Sequence, residues 1–334
     1  MNKNIPKEEY DLWRKVNLWP SFTKELNKNP ILDILQKCQA HIRFQVAKDV
    51  LGLPMKHPLV VLIHKKLHYQ KKYKKILQRE IKIFNSDNKK QRELNFIQLL
   101  QKLHELVSYG AYKHMRGVDE LIIQAMEYQN SDGRFPGLYH HHAKMCGILF
   151  KLGLRGNRLL DRSLNWIEKR QREDGGWLHR SMVQNGKTIK NQRSCIWTSA
   201  EVLYSISLRS SFLKRNCFEN GLVFLKKQLF NKNSTKFLDN LSPWDYFSVG
   251  AKGETLFTGG SLKILEIFVN YGFSKNDKVI NKLVSGILSC QMDNGYFPFQ
   301  KSKFPIPDPY VTVRFLRMLR VIRSNKYDKL ADKM

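Results

Sequence analysis

His142 and Cys146 stand four residues apart, the spacing that places two side chains on one face of a helix, and Cys195 opens a later apolar segment of helical period. Imidazole and thiolate are the ligands zinc prefers, and His140 and His141 lie beside the first pair. These residues therefore form a candidate metal set. They also have a plainer reading, a polar first turn followed by two small buried thiols, and no CxxC or HxxxH pair supports the metal. Tyr139 and Trp197, at the starts of the same two segments, carry π faces that could hold a hydrocarbon or shield a cation. With His142, Cys146 and Cys195 they form a candidate cavity-lining set.

A second pattern repeats. Gln129 to Phe135, Gln171 to Trp177 and Gln291 to Phe297 each place an acid or amide beside a glycine and an aromatic six residues after the glutamine. Asp174-Gly175 and Asn294-Gly295 are turn dipeptides in which glycine supplies the positive φ that ends a helix. The aromatic can pack back on the helix ends, and the glutamine amide suits capping backbone groups of a neighbouring helix. Asp132, Asp174 and Asp293 are the acids of these units, and they sit in the turns. The unit reads as a structural clasp.

Each clasp follows an amphipathic segment, and the segments come in pairs. Residues 31–52 with 57–67, 94–109 with 118–128, 141–152 with 158–170, 195–208 with 218–230, and 261–271 with 278–290 alternate, and 311–322 closes the series. Leu262, Ile264, Leu265, Ile267, Phe268 and Val269 make one segment apolar nearly all round, whereas Ile280, Leu283 and Ile287 form a single stripe in the next. First helices buried on both sides and second helices on one fit an inner ring wrapped by an outer ring. The expected fold is all-α, about six helix pairs over residues 31–325, with an N-terminal extension of residues 1–30 and a tail of 326–334.

Charge sets the expected partners. The 58 Lys and Arg exceed the 29 Asp and Glu by a formal +29, an imbalance that attracts polyanions and also arises from a Lys-rich proteome. The connecting segment 65–92 holds eleven Lys or Arg against Glu80 and Asp87, with Leu67, Tyr69, Tyr73 and Ile76 interleaved. It reads as a solvated linker, or as a surface for an anionic membrane face, and less well for nucleic acid, since no zinc finger, RRM or KH signature is present. Five scattered cysteines read as a reducing compartment. Met1 to Trp13 has no apolar signal core, and no run of eighteen apolar residues exists. The expected place is cytoplasmic, with peripheral membrane contact as an extension.

The Gln-x-x-Asp-Gly-Gly-Trp unit, followed by Ser194-Cys195-Ile196-Trp197-Thr198-Ser199-Ala200 opening a helix, resembles the repeats of the terpenoid cyclase and protein prenyltransferase superfamily, the squalene cyclase-like α/α toroids. The resemblance spans about residues 30 to 325. It implies a closed double ring around an apolar central cavity that holds an isoprenoid or other lipid. It does not bring the family's chemistry intact. The protonating DxDD acid, the DDxxD magnesium site and the Asp-x-Cys zinc pair are all missing, so no cofactor is expected. On the DxDD alignment Ile196 and Trp197 replace the last two carboxylates, leaving Asp308, before the next inner helix, as the acid in a comparable place. A desolvated Asp308 would have a raised pKa and could act as a lone catalytic acid. The expectation is a lipid-binding toroid without ordinary cyclisation, with a divergent enzyme or a scaffold for anionic partners as alternatives.

Overall fold

The structure is a computed structural model that describes residues 5–67, 69–80, 89–179, 193–229, 260–300 and 303–324. Fourteen α-helices follow one another among these residues, and a lone bridge between Pro298 and Pro307 is the β pairing among them. The architecture is an α/α toroid.

Periodicity sorts the helices into two layers. In α10 (Ile196–Ser207) every residue is buried, and in α12 (Ser261–Tyr271) the run from Ser261 to Val269 is buried as well. Helices wet on no side must have neighbours all round. By contrast α13 (Lys278–Leu288) buries Ile280, Leu283, Val284 and Ile287, one stripe at the i, i+3, i+4, i+7 spacing. Each such side chain contributes roughly 1.5–3 kcal/mol on burial, enough to seat a helix of three turns against its inner partner.

The inner ring runs α3 (Ala40–Gln45, continued by a widened turn over Val46–Val50), α6 (Lys89–Ser108), α8 (Tyr139–Lys151), α10, α12 and α14 (Pro309–Arg323). The outer ring is α2 (Ile31–Lys37), α4 (Pro58–Leu67) with α5 (Lys71–Gln78), α7 (Val118–Glu127), α9 (Arg158–Glu168), α11 (Asn216–Gln228) and α13. Successive inner helices from α6 onward pack on each other, and α14 returns to α3 and its widened turn. The ring closes. Residues 31–52, read from sequence as one helix, break at Cys38 and Gln39 into the outer α2 and the inner α3, so the first unit starts with its outer helix.

The first residues belong to this closure. In α1 (Lys7–Trp13) the fully buried Glu9 accepts Arg43 Nε at 2.7 Å and Lys66 Nζ at 2.6 Å, tying α1 to α3 and α4. Within the basic segment, α5 turns Tyr73 and Ile76 into the core. Residues 81–88 of that segment lie outside the described residues. Among the described residues no helix is long and apolar enough to cross a membrane.

Candidate functional site

The two ends of the inner ring differ in what their polar groups do. At one rim, α8, α10 and α14 start alike, after Leu138, Cys195 and Asp308. Four residues into each comes an acceptor, His142, Ser199 or Thr312, that takes the backbone N–H of the preceding clasp aromatic. His142 Nδ1 accepts from Phe135 at 3.0 Å, Ser199 Oγ from Trp177 at 2.8 Å and Thr312 Oγ1 from Phe297 at 2.9 Å. One geometry is built from three residue types.

The clasp itself ties outer helices together. Gln129 Nε2 donates to Leu159 O at 2.8 Å and Ser163 Oγ at 2.6 Å, Gln171 Nε2 to Cys217 O at 2.7 Å, and Gln291 Nε2 to Lys28 O at 2.7 Å. The first two reach the opening turn of the next outer helix, and the third joins the end of the chain to its beginning. Apart from the Ser163 hydroxyl these acceptors are backbone carbonyls, where the spacing had suggested orphan backbone groups of a neighbouring helix. Gly175 turns at φ +85°, and a Cβ there would meet Asn220 O at 2.4 Å, so glycine is required for conformation and for closeness. Phe135, Trp177 and Phe297 are fully buried.

This geometry accounts for the sequence-derived candidates. His142 Nδ1 is an acceptor, so the proton sits on Nε2, which donates to Ser163 O at 2.9 Å. Both ring nitrogens face backbone atoms and neither lone pair is left for zinc. Burial pushes the Cys146 thiol up to about 12 and raises that of Cys195 as well, the opposite of what a metal ligand needs. Among the described residues no three His, Cys, Asp or Glu side chains are grouped to hold a metal. Asp308 accepts from the amides of Tyr310 at 2.8 Å and Val311 at 3.0 Å, an N-cap. Burial raises its pKa, and those amides and Arg314 pull it back. Tyr139 lies edge-on to Trp166 at 5.8 Å, and Trp197 is buried in the core. None of Tyr139, His142, Cys146, Cys195, Trp197 or Asp308 lines the central space.

That space, about 1310 Å³, lies toward the other end of the ring. Its wall includes the ends of the inner helices and the loops after them, with Met55, Tyr112, Lys151 and Arg155 exposed at the mouth and Lys144, Glu201, Lys263 and Glu266 buried in the depth. Nine Lys and Arg line it against four acids, with Tyr109, Tyr112, Tyr204 and Tyr310 between them. Three acids are paired: Glu201 with Lys263, Glu266 with Arg314 at 2.7 Å, and Glu105 with Arg79 at 3.0 Å. Arg317 feels the charge of the fourth, Asp49. Among the described residues cations outnumber acids in this wall. Lys151 and Lys263 lie 4.9 and 5.0 Å from the ring of Tyr204, and Lys72 lies 5.2 Å from that of Tyr109.

The field shows in the direction of the pKa shifts. Burial works against the Glu266 carboxylate, yet Arg314 beside it brings its pKa down to about 2. Burial takes Lys144 down to about 7; Glu201 opposes the fall, and Lys263, Lys151 and Arg314 add to it. His104 falls well below its usual value through burial and the same cations. A cluster of this kind inside a cavity is a candidate functional site.

Comparison with known proteins gives architecture and little else. No family model matches the chain, and no curated protein does. Among solved structures it is similar to a polysaccharide lyase, at 14% identity and a TM-score of 0.48 over 98% of both chains. It is also similar to a glycosyl hydrolase of family 88 from Bacteroides vulgatus, at 11% identity and a TM-score of 0.45 over 94% of this chain and 98% of the other. Neither is a terpenoid cyclase or prenyltransferase, and the expected resemblance to that superfamily is corrected to an α/α toroid. The expectation of an isoprenoid or lipid ligand falls with it, because a wall carrying thirteen charged side chains is not an apolar cavity. The divergent cyclase or prenyltransferase alternative loses its ground for the same reason. A bare scaffold is not favoured either, since the centre is an open charged space and no plug of side chains.

Proposed function

We propose that the central cavity binds an acidic saccharide, a ring-bearing molecule with several carboxylate or sulfate groups. The observation that carries this reading is the wall itself, nine Lys and Arg, four acids and four tyrosines around one space of about 1310 Å³. Holding cations together out of water is unfavourable through desolvation and mutual repulsion, and an entering anion relieves both. Arg317 brings a planar donor fork that matches carboxylate and sulfate oxygens. The tyrosines bring flat apolar faces for the C–H side of a sugar ring and hydroxyls for its polar edge.

Calorimetric titration with oligogalacturonate, with a neutral cello-oligosaccharide and with inorganic phosphate tests the reading. The acidic saccharide is expected to bind and to weaken as salt rises, the neutral one not to bind, and phosphate to bind weakly. Replacing Arg317 by Ala is expected to weaken the acidic saccharide about tenfold or more, the loss of one charge-assisted contact. Equal binding of neutral and acidic saccharides, or no binding of the acidic one, contradicts the proposal.

A further inference from the structure

We infer that the ligand is a chain longer than the cavity, an acidic polysaccharide that runs from the central space outward over the lysine face of α5. The inference rests on the anion-binding reading of the cavity and extends it to a second surface, the basic segment that the cavity alone leaves unexplained.

Its ground is the way α5 sits. Tyr73 and Ile76 turn into the core, where α5 packs on α6. At about 3.6 residues per turn, Lys71, Lys74 and Lys75 fall on the opposite side, and all three are exposed. Lys72 and Arg79, seven residues apart, share the flank between these two sides, and both stand in the wall of the central space. Helix α5 therefore has one edge on the cavity and its lysine face on solvent beside that edge. One chain can touch both. This continuity favours a saccharide over an anionic membrane, because a flat layer of headgroups cannot enter the central space.

The charges on this face are placed against the helix's own interest. Residues 65–79 contain no acid, and Lys71, Lys72, Lys74 and Lys75 crowd into five positions. Lys71 meets Lys74 and Lys75, and Lys72 meets Lys75, at the i+3 and i+4 spacings where like charges weaken a helix. Lys71, Lys72 and Lys74 also occupy the first turn, the end at which the helix dipole disfavours cations. An anionic chain laid along the face relieves both. Tyr69, just before the helix, is 76% exposed and has Lys74 Nζ 5.7 Å from its ring. It offers a flat apolar surface to a sugar ring with a cation beside it for the carboxylate.

Chain length is the readout. Digalacturonate and decagalacturonate are titrated by calorimetry into the wild-type protein and a variant carrying Lys71→Glu, Lys74→Glu and Lys75→Glu, in about 0.15 M salt so that exposed charges are screened beyond about 8 Å. None of the three lysines lines the cavity, and acids in the first turn suit the helix dipole, so the variant is expected to keep its melting temperature. The decamer should bind the wild-type protein on the order of a hundredfold tighter than the dimer, since its second contact forms within a complex already made. The variant should lose most of that gain and bind the dimer as before. Tyr69→Ala should weaken the decamer and leave inorganic polyphosphate, which has no ring to stack, unchanged. A decamer no tighter than the dimer, or an equal loss of both in the variant, overturns the inference with the cavity site intact. Decamer binding indifferent to Tyr69→Ala would make the face a bare charge contact and overturn its assignment to a saccharide. Retention on phosphatidylserine vesicles that needs the three lysines, while decamer binding does not, assigns the face to lipid and overturns it as well. If the dimer fails to bind the wild-type protein, the cavity reading falls and takes this inference with it.

Discussion

At the rim where the inner helices start, His142, Ser199 and Thr312 do one job with three chemistries, each accepting the N–H of a clasp aromatic. In the central cavity, Lys144, Lys263, Glu266, Arg314 and Arg317 do what no neighbouring backbone group requires, and their charges do not cancel. The contrast separates reactive residue types from reactive situations. A histidine, a cysteine and an aspartate at helix starts look like a site until their hydrogen bonds are followed. The histidine and the aspartate are committed to the backbone and the cysteine is buried, whereas among the described residues the cavity wall carries more cations than acids.

Breaking either end should give a different signature. The largest effect is expected from Trp177→Ala, which empties a fully buried ring whose Nε1 donates to Ile167 O at 2.9 Å. Urea unfolding should show a loss of about 3–5 kcal/mol. A loss below about 1 kcal/mol would mean that the clasp does not hold the rim together.

Next comes acid sensitivity. His142 is neutral in the fold, its pKa lowered to about 4 by burial, while an unfolded histidine titrates near 6.5. Between those values the unfolded chain binds the extra proton, so stability is full above about pH 6.5 and falls as pH drops toward 4, by about 1.4 kcal/mol per pH unit for this residue. Glu266 responds elsewhere. Its pKa is lowered to about 2, so its contribution persists until pH falls below the ordinary carboxylate range. Unfolding midpoints from pH 7 to 5 should therefore follow the buried histidines, and His142→Gln should flatten part of that slope. An unchanged slope would place the proton uptake at other groups.

A smaller effect is expected from Asp308→Ala. Loss of an N-cap costs about 0.5–2 kcal/mol, and saccharide binding should be unchanged because Asp308 does not line the cavity. Binding lost with stability intact would restore Asp308 to the site. The smallest change in stability, within about 0.5 kcal/mol, belongs to Lys151→Ala at the exposed mouth. There the readout is binding, which should weaken and become less sensitive to salt. Unaltered salt dependence would remove Lys151 from the ligand's path.

The two ends also differ in how far the sequence reveals them. Helix pairs, the double ring and the Gln to aromatic unit are local patterns, carried by period and spacing within single segments. The cavity is not local. Its charges come from seven helices, counting the widened turn after α3, and from Arg79 and Arg155 just beyond α5 and α8, so no short stretch of sequence holds more than a pair. A signal was nonetheless present in Ser261-Leu262-Lys263-Ile264-Leu265-Glu266-Ile267, where Lys263 and Glu266 sit inside a helix otherwise apolar all round. Charges in a helix with no wet side must face either each other or a cavity. The same test applied to Lys144 of α8 and Glu201 of α10 finds two more residues of the wall. The break at Cys38 and Gln39 was harder to see, because apolar residues continue on both sides and no glycine or proline marks it.

The most direct test of the central claim is a crystal structure of the protein soaked with oligogalacturonate. The account predicts saccharide density within the ring, with a carboxylate at Arg317 and sugar faces against Tyr109 or Tyr204. Density confined to the outer surface, with the central space holding water alone, would contradict it.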